Sequence, residues 1–372
     1  MDAVARYVAG SPLAPAVVVD TAWVNGLAAI RSLARSGVKV IAVDHRRGAL
    51  GFRSRYALPV LAPDPAVDPD GFAGVLAELG DALGRPGPIF PTHDAPLNAI
   101  AQAHDRLGAR FLYPFPAWDV LGPIQTKRFQ LEQAAAAGIP VPRTLDAPSD
   151  ELGYPVLVKP SEPVGFRQAF GKQSFRCETR AELDEAFERA RPYDPLVQEF
   201  IPGGDDELYS LGSYLADDGE ALGLFSGRKL RQTPPGVGTC RVGEARWVDE
   251  VVDQGLALLR TVGFHGLSQV EFKRDPRDGA YKLMEINPRL WQWHGLAAAC
   301  GVDLPRIAYL DLIGERPAPA RTNGARKRWA ITLLGGSRPV LVRPPYVEAV
   351  LALDDPGPAF VQAARVLRGL RS

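Results

Sequence analysis

Long apolar runs are missing from this 372-residue chain. No stretch approaches the roughly 18 consecutive apolar residues that a bilayer span needs, so no membrane helix is expected. The opening "MDAVARYVAGSPLAPAVVVD" has no basic segment leading into an apolar one and reads as a poor signal peptide. Cysteine is scarce: Cys177, Cys240 and Cys300 are far apart, odd in number and form no CxxC. That argues against a disulfide framework and a zinc site, and favours a reducing, cytoplasmic location. There are two methionines and no "MKM" context of the kind that carries biotin. Net charge is also absent, with Lys+Arg and Asp+Glu at 43 each, so bulk charge does not hold this chain to nucleic acid. Lysine is rare within that total, at eight of 43 basic residues. A lysine here marks a position where a compact ammonium is wanted instead of a planar guanidinium, or else is a random survivor of codon bias against lysine.

What is present suits two or three packed subdomains. Residues 16–44 read strand, loop, helix, strand. The run Ala16–Val19 is apolar, Leu27, Ile30, Leu33 and Ala34 recur at helical spacing, Gly37 stops the helix, and Val38–Val43 is the next strand. This is a βαβ unit and predicts a parallel α/β layer. Its loop has no GxGxxG, so dinucleotide binding is not supported. A helix near 70–83 and the strand "PIFPTHD" follow, placing His93 and Asp94 just past a strand's carboxyl end, where open α/β sheets bind ligands; a polar loop with a helix-capping Asp is the competing reading. Further on, a helix runs from Lys127 to about Ala137, and "YPVLVKP" is a strand ending in Lys159. Residues 161–175 read as a polar loop and "GVGTCR" as a flexible link. Two hairpins turn around Asp218–Gly219 and Asp275–Gly279.

The stretch "KLMEINPRLWQWHG", residues 282–295, alternates with period two. Met284 and Ile286 are expected to face a core, and Glu285 and Asn287 to share the other face. The hairpin turn centres near Arg277, so Glu271 should lie almost opposite Glu285. Opposed like charges destabilise a sheet unless a cation lies between them. Two acids and an amide on one face match a divalent-cation site; the competing reading is a solvated face on which Lys273 neutralises Glu271. Lys282 reads as a surface charge without functional weight.

The order of these motifs resembles the ATP-grasp superfamily over residues from roughly 120 to 315. It is carried by Lys127 before "GIPVP", Lys159 ending "PVLVKP", "VQEFIPG" with a downstream acid, Glu271 in "VEF", and Glu285 and Asn287 in "EIN". In style it is nearest the carboxylate–amine ligases related to carbamoyl-phosphate synthase and D-aspartate ligase. The resemblance implies an α/β fold: an N-terminal parallel pre-grasp domain (1–115), a two-lobed grasp domain (116–320) with a lid at about 145–197, and a C-terminal segment (321–372) packing on the grasp domain. It implies ATP held by Lys127, Lys159 and Ser161, with adenine against Gln198, Glu199, Phe200 and Ile201, and ribose on Glu207 or, failing that, Asp206. Mg²⁺, with Mn²⁺ able to substitute, falls to Glu271, Glu285 and Asn287. Arg289 is assigned to the transferred phosphoryl or acyl group, and Arg228, Lys229 and Arg231 form a second cationic cluster. Asn25, His93, Asp94, Trp291, Trp293 and His294 are candidates for reading the substrate, the two tryptophans being equally readable as core. The loop after Lys159 departs from the glycine-rich pattern, since Pro163 and Phe166 interrupt it and Arg167 or Lys172 must supply charge.

The implied reaction is phosphoryl transfer to a carboxylate, followed by attack of an amine on the acyl phosphate. Its partners are a small carboxylate and an amine, with no nucleic acid or membrane, and a homodimer is admitted. A biotin-carboxylase-like enzyme, a carboxylate kinase and a non-catalytic ATP-binding protein are the alternatives.

Overall fold

The computed structural model describes residues 1–369 apart from 162, 237, 323, 325, 334–339 and 341. The fold is α/β, with one parallel sheet followed by two mixed or antiparallel ones. The first sheet contains β1 (Ala16–Val19), β2 (Val40–Asp44), β3 (Ala57–Leu61), β4 (Gly87–Pro91) and β5 (Phe111–Leu112). All are parallel, in the order β3-β2-β1-β4-β5. Strands β1, β2 and β4 are buried at every residue, as expected when helices cover both faces. The chain reverses its direction of growth between β1 and β4, which opens a crevice at their carboxyl ends. The helix Pro69–Ala82 on this sheet starts where Asp68 accepts from the Gly71 N–H at 2.9 Å, with Pro69 in its first turn.

The second sheet joins β6 (Thr144–Leu145), β7 (Val156–Pro160), β8 (Phe175–Cys177) and β9 (Pro195–Glu199) in the order β6-β9-β7-β8. The polar loop expected at 161–175 is instead largely helical, from Pro163 to Phe170. Phe166 and Phe170, four apart, share one face and pack with Phe175 and Tyr193 at 4.7–5.9 Å between ring centroids. This apolar pair on one turn outweighs the surrounding polarity.

The third sheet has eight strands: β10 (Leu208–Leu215), β11 (Ala221–Thr233), β12 (Thr239–Ala245), β13 (Gly266–Arg274), β14 (Tyr281–Asn287), β15 (Ala320–Arg321), β16 (Arg328–Ala330) and β17 (Val347–Glu348). They run β14-β13-β10-β11-β12-β16-β17, with β15 beside β11. The second half of the expected link "GVGTCR" belongs to β12, which pairs antiparallel with β11 and buries Cys240 and Val242. β16 and β17 extend this sheet, whereas the stretch around Asp355 docks on the parallel one. There the buried Asp355 accepts from Arg31 Nε, Ser54 Oγ and the Arg55 N–H, each at 2.9 Å.

The β13–β14 hairpin pairs Glu271 with Glu285 and Phe272 with Leu283, so Met284 is the extra residue of a bulge. The bulge corrects the expected alternation. Leu283 and Ile286 enter the core, while Met284 turns to the same cavity as Glu285.

Candidate active site

β14 is an edge strand, and an edge leaves backbone groups in need of partners. The helix Lys127–Ala136 supplies them. Gln130 donates through Nε2 to the Ile286 carbonyl at 3.1 Å and accepts from the Ile286 N–H at 2.9 Å. Lys127 Nζ donates to the Met284 carbonyl, and the Leu283 N–H to Pro140 at 2.8 Å. The strand carrying Glu285 is thereby bolted to the helix carrying Lys127, and both border a cavity of about 280 Å³.

Six lysine and arginine side chains line this cavity against four carboxylates, an excess of two positive charges that suits a polyanion. The cations include Lys127, Lys159, Lys229 and Lys273, four of the chain's eight lysines. Lys229 Nζ lies 2.7 Å from Glu271, so Lys229 is the neutraliser that the sequence suggested Lys273 would be. Lys273 Nζ instead donates to the Ile201 and Gly203 carbonyls at 2.8 and 3.1 Å and lies over the Phe200 ring. Burial pushes the Glu271 carboxyl up; Lys229 opposes that shift and Glu285 adds to it. Burial acts the same way on Glu285, but Lys127 and the Asn287 amide outweigh it and hold that carboxyl low. Burial and the neighbouring Lys127 bring the Lys159 ammonium down to about 7. Arg289 is paired with Asp94 through bonds of 2.5 and 3.1 Å.

Two opposed carboxylates and an amide are a donor set that a hard divalent cation fits, with Glu271, Glu285 and Asn287 as its holders. Asn287 donates to Glu285 at 2.8 Å, and its oxygen accepts from Arg289 at 3.0 Å. Among the described residues no three His, Cys, Asp or Glu side chains converge on one point, so a metal here depends on that amide.

Of the other expected residues, Ser161, Glu199, Phe200, Ile201, His93, Asp94 and Arg289 line the same cavity. Several do not. Gln198 turns to Thr144 Oγ1 at 3.1 Å, because alternate residues of a strand face opposite ways. Glu207 approaches Arg274 at 3.8 Å, and neither it nor Asp206 borders the cavity. Arg228 pairs with Glu244 at 2.7 Å and Arg231 is exposed, leaving Lys229 as the cavity-facing member of that cluster. Trp291 and Trp293 are buried against Phe225 and reach the cavity only as part of its wall. Gly212 makes this packing possible, since a Cβ there would come within 1.9 Å of Trp291. Asn25 and His294 lie beneath the floor, where Asn25 donates to the Thr92 carbonyl at 2.8 Å and His294 Nε2 lies 3.0 Å from the Asn25 carbonyl. Burial pushes the His294 imidazole down to about 4, so it is neutral, and its role is to join two elements.

Sequence reasoning missed Gln130, whose amide matches an edge strand only in three dimensions, and underrated Lys282. The Lys282 ammonium is 3.2 Å from Glu199 and 2.8 Å from the fully buried Asp275. Arg277 joins both carboxylates, so the start of the "QEFI" segment is held from behind by four charges. Lys282→Met is expected to cost about 1–3 kcal/mol in urea unfolding, less than for a fully isolated charge because Arg277 remains. It is also expected to weaken nucleotide binding.

Residues 244–310 match the family model described as "Carbamoyl-phosphate synthase L chain, ATP binding domain". The chain is 26% identical over 254 residues to a D-aspartate ligase of Enterococcus faecium, covering 63% of this chain and 60% of that one. The chain spans less than two thirds of the curated relatives it matches. In structure it is similar to a biotin carboxylase–beta-gamma-ATP complex from Campylobacter jejuni, with TM-score 0.65, 15% identity, and 82% and 72% of the two chains covered. It is also similar to an L-amino acid ligase from Bacillus licheniformis, with TM-score 0.59, 15% identity, and 81% and 74% covered. Motif order, the matched model and this fold agree in their likeness to the ATP-grasp superfamily, and the matched model and the curated relatives are of its carboxylate–amine ligase and carbamoyl-phosphate-synthase-like types.

Proposed function

We propose that the protein uses ATP to activate a carboxylate as an acyl phosphate, releasing ADP, and then passes the acyl group to a nitrogen nucleophile. The observation that carries this reading is the opposed pair Glu271 and Glu285 set among Lys127, Lys159 and Lys229, with Arg289 in the same cavity. A free carboxylate resists attack because oxide is a poor leaving group; phosphorylation supplies a good one. Lys127 and Lys159 would hold phosphate oxygens through charge-assisted hydrogen bonds, with Ser161 beside them. The purine would lie against Leu157, Phe200, Ile201 and Ile286, which line one side of the cavity. Mg²⁺ or Mn²⁺ on Glu271, Glu285 and Asn287 would neutralise charge between the β- and γ-phosphates. Arg289, fixed by Asp94, would orient the carboxylate. The segment over residues 145–197 would exclude water from the acyl phosphate.

Two acceptors fit. Similarity to a D-aspartate ligase supports an amine, and similarity in fold to a biotin carboxylase supports bicarbonate as the carboxylate and biotin as the acceptor. The distinguishing assay supplies ATP, Mg²⁺ and a panel of amino acids, with and without bicarbonate and free biotin. ADP and phosphate are the expected products in either case. AMP with pyrophosphate would reject acyl-phosphate chemistry, and bicarbonate dependence would select the second acceptor. Oxygen-18 placed in the carboxylate is expected in the released phosphate.

A further inference from the structure

The crevice at the carboxyl ends of β1 and β4 opens onto the cavity through His93 and Asp94, and of its residues Asp20, Arg46 and His93 take no part in the scheme above. Asp20 ends β1 with φ of 63°, a left-handed conformation that a non-glycine residue adopts only when its surroundings enforce it. Its carboxylate is held on one side by Arg46 and on the other by His93, whose Nδ1 is 3.1 Å away. Thr92 Oγ1 is also 3.2 Å from Nδ1, but its single proton is directed to backbone, at 2.7 Å from the Asp20 carbonyl. Nδ1 therefore faces two acceptors, the Asp20 carboxylate and a hydroxyl lone pair. That environment places the neutral ring's proton on Nδ1 and leaves the Nε2 lone pair bare. Nε2 has no partner among the described residues, and His93 lines the cavity. The next residue, Asp94, grips Arg289, which places the imidazole beside the group expected to orient the carboxylate.

We infer that His93 is the general base for the second half-reaction, taking a proton through Nε2 from the attacking nitrogen while Asp20 holds the ring in the productive tautomer. The inference rests on the amine-acceptor form of the proposed function. An ammonium group must lose two protons to become an amide. The first passes to His93 Nε2 and from there to solvent. The neutral nitrogen then forms the C–N bond, the C–O bond to phosphate breaks, and the second proton leaves with the phosphate. The titratable and charged groups around this ring are Asp20, itself beside Arg46 and His45, and Asp94, itself beside Arg289 and, from the helix Pro163–Phe170, Arg167.

Hydroxylamine separates this inference from the one beneath it, because it is uncharged at neutral pH and needs no base to attack an acyl phosphate. The full-length protein, ATP and Mg²⁺ are incubated with an equimolar mixture of the common amino acids and D-aspartate, and amide products are quantified by mass with and without hydroxylamine. In His93→Gln, amide formation is expected to fall about 10²- to 10⁴-fold, while hydroxamate formation changes by no more than about 3-fold. Asp20→Asn is expected to lower amide formation by less than His93→Gln does. Equal loss of both products, or undiminished amide formation, would overturn the assignment. Failure of the unsubstituted protein to form any hydroxamate rejects the acyl-phosphate reading and the base with it. Nitrogen-15 shifts of the histidine rings give an answer that needs no substrate. A proton on Nδ1 of neutral His93, with that preference weakened in Asp20→Asn, is the expected result; a proton on Nε2 overturns the inference.

Discussion

Glu285→Gln is expected to lower ADP formation at least about 10³-fold at saturating ATP, the scale on which transition-state electrostatics act. Glutamine keeps the volume of the side chain and its contact with Asn287, but removes the negative charge that faces Lys127. Two consequences follow from that one charge. The remaining acid, Glu271, is already pushed up by burial and taken up by Lys229 at 2.7 Å, so it offers a divalent cation little by itself. The Glu271 carboxyl should also move down in the variant, because its like-charged neighbour across the strand pair is gone. Urea unfolding should remain a single cooperative transition, since the core side of this hairpin is formed by Phe272, Leu283 and Ile286, which the substitution leaves in place. Turnover near the unsubstituted rate would reject Glu285 as a metal holder.

Lys159→Met is expected to weaken ATP binding about 10- to 100-fold, the loss of one hydrogen bond to a charged group. The pH dependence makes this test specific to Lys159. Burial and Lys127 bring its ammonium down to about 7 from 10.5. Below that value the empty site carries the charge, and ATP binding should take up no proton here. Above it the lysine is neutral, and phosphate must draw a proton in as it binds. Nucleotide titrations at pH 8 in metal-free buffers of differing ionisation enthalpy should therefore show uptake approaching one proton. That uptake should disappear at pH 6 and in Lys159→Met. The same shift bears on folding. Between about 7 and the unfolded value of 10.5 the unfolded chain holds the extra proton, so this residue's contribution to stability rises with pH across that window. Proton uptake that persists in Lys159→Met would assign it to another group, Lys127 first, whose ammonium is also lowered by burial.

Lysine is scarce in this chain, and half of its eight lysines, Lys127, Lys159, Lys229 and Lys273, line the cavity, while Lys282 pairs with Glu199 at the start of the "QEFI" segment. Of the arginines beside Lys229, Arg231 is exposed and Arg228 answers Glu244 on the far side of the sheet. Local pattern could not separate these cases. Arg228, Lys229 and Arg231 lie within four residues, and which of them faces the cavity depends on strand register and on irregularities in the pairing of β11 with β12. The same limit applies to Met284, itself the unpaired residue of the bulge.

Periodicity and motif order by themselves determined the parallel βαβ start, the two hairpins and the opposition of Glu271 to Glu285, because strand alternation and turn position are local properties. The assignment of Lys127 and Lys159 to phosphate came from the family resemblance that the motif order carries, not from spacing. Only the tertiary structure decided which residues share the cavity. Asn25 and His294 look as eligible as His93 and Asp94 in the sequence, yet Asn25 bonds Thr92 and His294 bonds the Asn25 carbonyl below the floor, while His93 and Asp94 line the cavity. Gln130 against β14, Lys273 on the Ile201 carbonyl and Asp20 on His93 each join elements distant in the chain. Such contacts leave no period and no spacing in the sequence, because their partners are chosen by how sheets and helices pack.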